Sequence, residues 1–121
     1  MIVGKFVDKK IVLPVGLLLS QDTILSIEFV VDTGFNGYLT LPLSAVGAMN
    51  LPLFSTTIAI LADGTHVEIP THIATINWQD RELRVPVLAM GTKPLLGMGL
   101  LDRCRLIVEF SEDGSIELEK L

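Results

Sequence analysis

The residues best suited to chemistry lie in one short segment, where Asp32, Thr33 and Gly34 follow the apolar residues 29–31. An apolar run of this kind predicts a buried strand, so Asp32 places a carboxylate where the strand ends and the backbone turns. Gly34 permits a tight turn and leaves backbone N–H groups free to bond the carboxylate, while the Thr33 hydroxyl can hold the loop. A carboxylate fixed in this way is suited to proton transfer, although the same triplet also occurs by chance in strand-ending turns without function.

A second segment late in the chain, residues 95–101, gives the first one a structural context. It contains an apolar pair, then Gly97, two further residues and a second apolar pair, in the order Leu-Leu-Gly-Met-Gly-Leu-Leu. This pattern predicts a strand that passes behind the loop of Asp32 and is buried there. Gly97 would permit the two backbones to approach closely, because it has no side chain.

An Asp63-Gly64 pair lies between these two segments and joins two extended runs, residues 55–62 and 65–76. Asp-Gly between extended runs is a strong hairpin signal, because both central residues of a type I′ turn need positive φ. We therefore predict a β-hairpin with a type I′ turn, and we consider it a candidate lid over a site at Asp32.

The elements around these segments indicate an all-β fold. Short apolar runs rich in β-branched residues alternate with turn signals, among them residues 8–10 and 20–22. We expect strands over residues 2–7, 11–19, 23–31, 37–41, 55–62, 65–76, 82–89, 106–110 and 116–119. A short helix is expected over residues 42–49 and a second one within residues 94–103. Because no linker, repeat or low-complexity tract interrupts the pattern, residues 1–121 are expected to form one domain.

The composition favours a protein interface and argues against a membrane span. Half of the residues are hydrophobic and the mean hydropathy is +0.57, which is high for a monomer surrounded by water. The longest apolar stretch, residues 11–19, is interrupted by Pro14 and Gly16 and is much shorter than the ~20 residues of a membrane-spanning helix. The apolar excess is therefore expected to serve an interface between protein chains.

The charge and the cysteine content limit the expected binding partners of the protein and the cellular compartment in which it is expected. The net charge is −5 and the largest basic cluster is Lys9-Lys10, so nucleic acid is not an expected partner. The single Cys104 cannot form an internal disulfide, which is typical of a reducing, cytoplasmic setting. His66 and His72 could share one face of a strand, but they lack the spacing and the further ligands of a metal site, and no metal is expected.

The order of Asp-Thr-Gly, a glycine-containing hairpin and Leu-Leu-Gly-x-x-Leu-Leu resembles the retropepsin-like aspartic proteases, over about residues 23–110. This family includes retroviral proteases and small single-domain relatives from bacteria and eukaryotes. The resemblance implies a closed, mostly antiparallel acid-protease barrel with one or two short helices, which forms one half of a two-fold symmetric dimer. It also implies an aspartic endopeptidase that hydrolyses peptide or protein substrates without a metal or a cofactor.

The resemblance assigns roles to particular residues. Asp32 is the catalytic carboxylate, and Thr33 bonds across the dimer interface to the loop of the second subunit. The substrate-binding residues that it implies are Gly34 in the loop, and Ala62, Asp63, Gly64 and Thr65 at the tip of the hairpin, which corresponds to the family's flap. Phe35 and Asn36, which follow Gly34, are further candidates for substrate binding.

The chain departs from the family pattern at two places. Many members have Ala or Ser and then a small or acidic residue after the catalytic glycine, where this chain has Phe35 and Asn36. Phe35 could line the cleft, and Asn36 could donate to the Asp32 carboxylate or to the substrate backbone. Retroviral members often have Arg after the glycine of the late motif, where this chain has Met98, so the ion pair made by that Arg is absent.

One Asp-Thr-Gly triplet per chain makes a homodimer necessary for the implied chemistry. Two carboxylates held about 3 Å apart share one proton, so one can activate water while the other protonates the scissile carbonyl. A C2 axis supplies the second Asp32. The alternatives are a non-catalytic dimeric peptide-binding or interaction module, which would not need a costly pair of carboxylates, and a generic β-barrel in which the triplet is only a turn. The protease and the two alternatives can be distinguished by whether two Asp32 carboxylates meet across a two-fold axis.

Overall fold

The chain folds into ten strands and two short helices in the computed structural model, which describes residues 1–20 and 22–121. The predicted turn over residues 20–22 includes Gln21, which lies outside the described residues. The strands are β1 (Ile2–Val7), β2 (Lys10–Ser20), β3 (Thr23–Val31), β4 (Leu39–Leu41), β5 (Leu53–Ile60), β6 (His66–Trp78), β7 (Arg81–Ala89), β8 (Leu95–Leu96), β9 (Cys104–Val108) and β10 (Ser115–Lys120). The helices are α1 (Leu43–Ala48) and α2 (Met98–Leu101). The prediction of a mostly β fold with two short helices is confirmed.

All ten strands belong to one sheet, in the order β5-β6-β7-β4-β8-β3-β2-β1-β10-β9. Most neighbours are antiparallel, and the two parallel pairs are β3 with β8 and β4 with β7. The long strand β2 pairs with β3 along one edge, while its other edge pairs with β1 near its start and with β6 near its end. Strands that are far apart in the order therefore meet at β2, which requires the sheet to curl.

The hydrophobic core includes the strand that leads into Asp32. Leu13, Val15 and Leu17 alternate along β2 and are all buried, as expected for a strand with one face on the core. Phe29 on β3 and Leu96 on β8 are fully buried in the same cluster. Burial of each such side chain contributes about 1.5–3 kcal/mol to stability, so the segment that leads into Asp32 is firmly anchored.

The two helices are short and lie at strand ends. α1 begins after Pro42, whose fixed φ suits the start of a helix, and it buries Val46. α2 follows Gly97 directly and buries Leu100. Neither helix in the described part of the chain has the length and the apolar character needed to cross a membrane.

Candidate active site

Asp32 lies half-buried at the first position after β3, in the loop that connects β3 to β4. Its backbone N–H donates to the carbonyl of Leu96 at 2.9 Å, and its own carbonyl accepts from the N–H of Phe35 at 3.2 Å. The carboxylate Oδ1 accepts a hydrogen bond from the backbone N–H of Gly34 at 2.9 Å. The predicted role of Gly34 as a backbone donor to the carboxylate is confirmed.

The strand β8 lies between the two strands that flank this loop. Leu96 pairs in parallel with Val31 on β3 and antiparallel with Leu39 on β4. β3 and β4 are therefore not neighbours in the sheet, and the loop between them must cross the end of β8. The sequence prediction of a buried strand behind the loop of Asp32 is confirmed for Leu95 and Leu96, the second of which is fully buried, whereas the end of the segment forms α2.

Three backbone hydrogen bonds attach the loop to the segment that follows β8. The N–H groups of Gly97, Met98 and Gly99 donate to the carbonyls of Tyr38, Phe35 and Gly37, at 2.8, 2.8 and 2.9 Å. Together with the bond from Asp32 to Leu96, they hold the loop at both of its ends. The position of the Asp32 carboxylate is thus determined by hydrogen bonds between backbone groups of the loop and of the segment after β8.

Gly97 allows this attachment because no larger residue fits there. A Cβ atom at Gly97 would lie 2.4 Å from the carbonyl oxygen of Gly37 and 2.5 Å from the ring of Phe35. The backbone of Gly97 is extended, with φ at −102°, so the requirement comes from close approach and not from strain. The predicted close approach at Gly97 is confirmed.

The remaining loop residues differ in their exposure. Thr33, Gly34 and Asn36 are exposed, whereas Phe35 is half-buried. The Phe35 ring lies so close to Gly37 that a Cβ there would be 2.5 Å from it. The sequence analysis did not identify Gly37, whose carbonyl accepts a hydrogen bond from the N–H of Gly99. The position of this glycine, two residues after the aromatic Phe35, was the signal that could have indicated the close contact.

The predicted hairpin is present, but its turn is not of type I′. Gly64 has φ at +86°, whereas Asp63 is not among the residues with positive φ. The N–H of Gly64 donates to the carbonyl of Leu61 at 2.9 Å, and the N–H of Leu61 donates to the carbonyl of Thr65 at 2.8 Å. This is the three-residue connection in which a turn is followed by a glycine bulge, so the type I′ prediction is wrong.

The side chain of Asp63 stabilises this turn. Its Oδ1 accepts a hydrogen bond from the backbone N–H of Thr65 at 2.9 Å. Hydrogen bonds from the side chain and the backbone N–H of Thr65 hold the pKa of Asp63 below its ordinary value. The stabilisation is therefore complete above the ordinary carboxyl pKa and is lost as the pH falls through the lowered value of the folded state.

The hairpin projects from the end of the sheet. β5 is the terminal strand of the strand order, and the four tip residues Ala62, Asp63, Gly64 and Thr65 are exposed. Ile58 and Ile60 on β5 are 64% and 69% exposed, so the hairpin presents apolar surface to solvent. Its contact with a substrate stays a prediction.

Neither histidine lies in a group of metal-binding side chains. The Nδ1 atom of His72 is 2.9 Å from the carbonyl oxygen of Leu51, and His66 pairs with Ile60 near the hairpin tip. Within residues 1–20 and 22–121, no group of three or more His, Cys, Asp or Glu side chains is arranged to hold a metal ion.

The fold is similar to that of a known protease. No family model and no curated protein sequence matches this chain. A crystal structure of a retropepsin-like aspartic protease from Rickettsia conorii matches with a TM-score of 0.62 over 98% of this chain and 89% of that chain. The sequence identity is 17%, so the similarity concerns the fold. The chain has the retropepsin-like fold that its residues predicted.

Proposed function

We propose that this chain is an aspartic endopeptidase, and that two Asp32 carboxylates, one from each subunit of a homodimer, activate the water that hydrolyses the peptide bond. The observation that carries the proposal is the position of Asp32: a half-buried carboxylate at the end of a core strand, held by the N–H of Gly34. The retropepsin-like fold around it supports the same assignment.

The chemistry needs the second copy. Like charges about 3 Å apart cannot both ionise, so a pair of carboxylates shares one proton, as is established for aspartic proteases. The ionised member takes a proton from the attacking water, and the protonated member donates to the scissile carbonyl. Each chain has one Asp-Thr-Gly triplet, so a two-fold axis beside Asp32 supplies the partner carboxylate and Thr33 bonds across that axis.

An exposed apolar side chain near the loop supports a dimer. Met98, in the segment attached to the loop, is 43% exposed. A dimer whose axis passes beside Asp32 would cover this side chain and remove part of the apolar surface from water. Met98 stands where retroviral members often have Arg, so this part of the interface is proposed to be apolar. Closure of the sheet into a barrel belongs to the same proposal.

The hairpin around Gly64 is proposed to be the flap that covers the substrate. Its exposed tip and the apolar side chains of Ile58 and Ile60 suit contact with an extended peptide. A lid of this kind excludes water from the reacting bond and completes the cleft. The proposed substrate contacts are Phe35 and Asn36 in the loop of Asp32 and the residues at the tip of the hairpin.

Gly64→Val is expected to lower hydrolysis at least tenfold, because a β-branched residue tolerates positive φ badly and deforms the tip. The matched control is Gly91→Val, since Gly91 also has positive φ (+77°), stands in open space and lies in the loop after β7. Each change should destabilise the fold by about 1–2 kcal/mol, as measured by urea unfolding. Equal losses of hydrolysis in both variants would contradict the flap assignment.

Hydrolysis of a peptide library is expected to follow a bell-shaped pH profile with its maximum on the acid side of neutrality. Activity falls when both carboxylates are protonated and again when both are ionised, and repulsion within the pair raises one of the two apparent values. Protein solubility must be measured at each pH, since the calculated pI is about 4.8. Sustained hydrolysis near pH 9 would contradict the mechanism. A dimer that stays in solution and cleaves no peptide between about pH 3 and pH 8 would favour the non-catalytic binding module.

A further inference from the structure

A second cleft lies behind the segment that anchors the loop of Asp32. It has a volume of about 260 Å³ and is formed by the turn between β6 and β7, the end of α2, the start of β9 and the end of β10. Its lining includes Tyr38, Trp78, Gln79, Arg81, Arg103 and Lys120. Asp32 is not one of its lining residues, so the cleft is distinct from the proposed catalytic site.

The charge of this cleft is opposite to that of the whole protein. Arg81, Arg103 and Lys120 line it, with Asp102 as the one acidic side chain, whereas the chain has a net charge of −5. The ion pairs in the described part of the chain join Lys10 to Asp8 and Arg105 to Glu119. The three basic side chains of the cleft are therefore not neutralised by an ion pair there and can bind an anion.

The floor of the cleft is apolar. Trp78 and Leu100 are 6% and 3% exposed and give the floor its apolar character. The Nε2 atom of Gln79 is buried and has no partner in hydrogen-bonding geometry within the described residues. Because this atom has no accessible surface in the cleft, a ligand would not reach it, and the donors that the cleft offers are those of its basic side chains.

Cys104 does not give the cleft a nucleophile. Its thiol lies 3.7 Å from the carbonyl oxygen of Leu100 and 3.6 Å from that of Asp102, to which it can donate. Burial raises the pKa of the Cys104 thiol, although the nearby Gln79 side chain opposes part of the rise. The thiol stays protonated near neutral pH, so the cleft is suited to binding and not to covalent chemistry.

We propose that this cleft binds a small carboxylate with one apolar ring. The ring would lie on Trp78 and Leu100, and the carboxylate would accept from the Arg81 or Arg103 guanidinium. A guanidinium presents two parallel N–H donors that match the two oxygens of a carboxylate. The volume is just below the usual range of about 300–1,000 Å³ for small-molecule sites, which suits a single-ring ligand.

A ligand in this cleft would touch the structure that supports Asp32. Tyr38 and Gly99 both line the cleft, and a Cβ at Gly99 would lie 3.0 Å from the Tyr38 ring. The N–H of Gly99 donates to Gly37, and the carbonyl of Tyr38 accepts from Gly97. If the proposed function holds, an occupied cleft changes the rate of hydrolysis through these contacts, whereas the binding itself does not depend on that function.

Titration with benzoate tests the proposal, because Trp78 is the single tryptophan of the chain and its fluorescence reports on the cleft. We expect a saturable fluorescence change with benzoate and none with benzylamine, which has the same ring and the opposite charge. The double variant Arg81→Gln/Arg103→Gln is expected to bind benzoate at least about tenfold more weakly. The matched control Lys93→Gln removes an exposed cation outside the cleft and should bind as the parent protein does.

Chemical-shift changes in the ¹⁵N NMR spectrum should centre on residues 78–83 and 99–104. The proposal is overturned if benzoate gives no saturable fluorescence change or if benzylamine binds equally well. It is also overturned if the arginine double variant has the NMR spectrum of a folded protein and still binds benzoate with the affinity of the parent protein.

Discussion

Asp32→Asn is expected to lower peptide hydrolysis by about 10³-fold or more, because an amide can neither accept the proton of the attacking water nor share a proton with the second carboxylate. The fold should be unchanged. The Asn side-chain oxygen can still accept from the N–H of Gly34, and the backbone bond from residue 32 to Leu96 is untouched. Initial rates on a peptide library at the pH of maximal activity measure the effect.

The matched control for this variant is Asp80→Asn. Asp80 is an exposed aspartate in the turn between β6 and β7, with φ at +65°, a conformation that Asn also tolerates. The Asp80→Asn variant should hydrolyse peptides at the rate of the parent protein. If Asp32→Asn kept a comparable rate, another residue would be responsible for the cleavage.

Gly97→Ala is expected to destabilise the fold by roughly 3 kcal/mol and to abolish most hydrolysis, because overpacking against a rigid backbone cannot be relieved by a rotamer change. The new Cβ would lie 2.4 Å from the Gly37 carbonyl oxygen and 2.6 Å from that of Phe35. The loop must move away, and Asp32 moves with it. Urea unfolding and hydrolysis should be measured on the same samples.

Gly47→Ala is the control for Gly97→Ala, since it makes the same chemical change where, apart from the chain neighbours and the backbone of α1 itself, no atom lies within 4 Å of the new Cβ. Gly47 is an exposed position inside α1, so alanine should be neutral or should stabilise the fold by up to about 1 kcal/mol. Equal stabilities of the Gly97→Ala variant and the parent protein would contradict the close packing of the loop on β8.

The loop of Asp32 could be predicted from the sequence because its signals are local. The apolar residues before Asp32 mark a strand, Gly34 marks the turn, and the predicted strand over residues 23–31 coincides with β3. The bond from Gly34 to the carboxylate follows from the turn alone. Gly97 could be recognised because a glycine among leucines is a local sign of close backbone approach, although the backbone that it approaches, at Gly37 and Phe35, is distant in the sequence.

The rest of the site depends on long-range pairing, which no local signal shows. β8 has two residues and is a strand only because Leu95 and Leu96 pair with both β3 and β4. A two-residue element has no periodicity, so its bounds could not be read from residue types. In the same way, β5 begins at Leu53, before the predicted residue 55, because Leu53 pairs with His72 across a bulge.

The turn type of the hairpin was wrong for a related reason. Asp-Gly is compatible with a two-residue type I′ turn and with a three-residue loop in which the glycine is the bulge. The choice depends on which residues of β5 and β6 face each other. The ladder pairs Ile60 with His66, and Leu61 donates to Thr65, which leaves three residues for the connection.

The most direct test of a site shared between two subunits is the hydrolysis rate of mixtures of the parent protein and Asp32→Asn. Subunits are exchanged to equilibrium at a concentration where sedimentation gives twice the chain mass of 13.2 kDa. If both carboxylates are required, the rate falls with the square of the parent fraction, to about a quarter in an equal mixture, because only parent–parent dimers are active. A rate that falls in direct proportion to the parent fraction, to about half in that mixture, would show that each chain acts alone and would contradict the shared site.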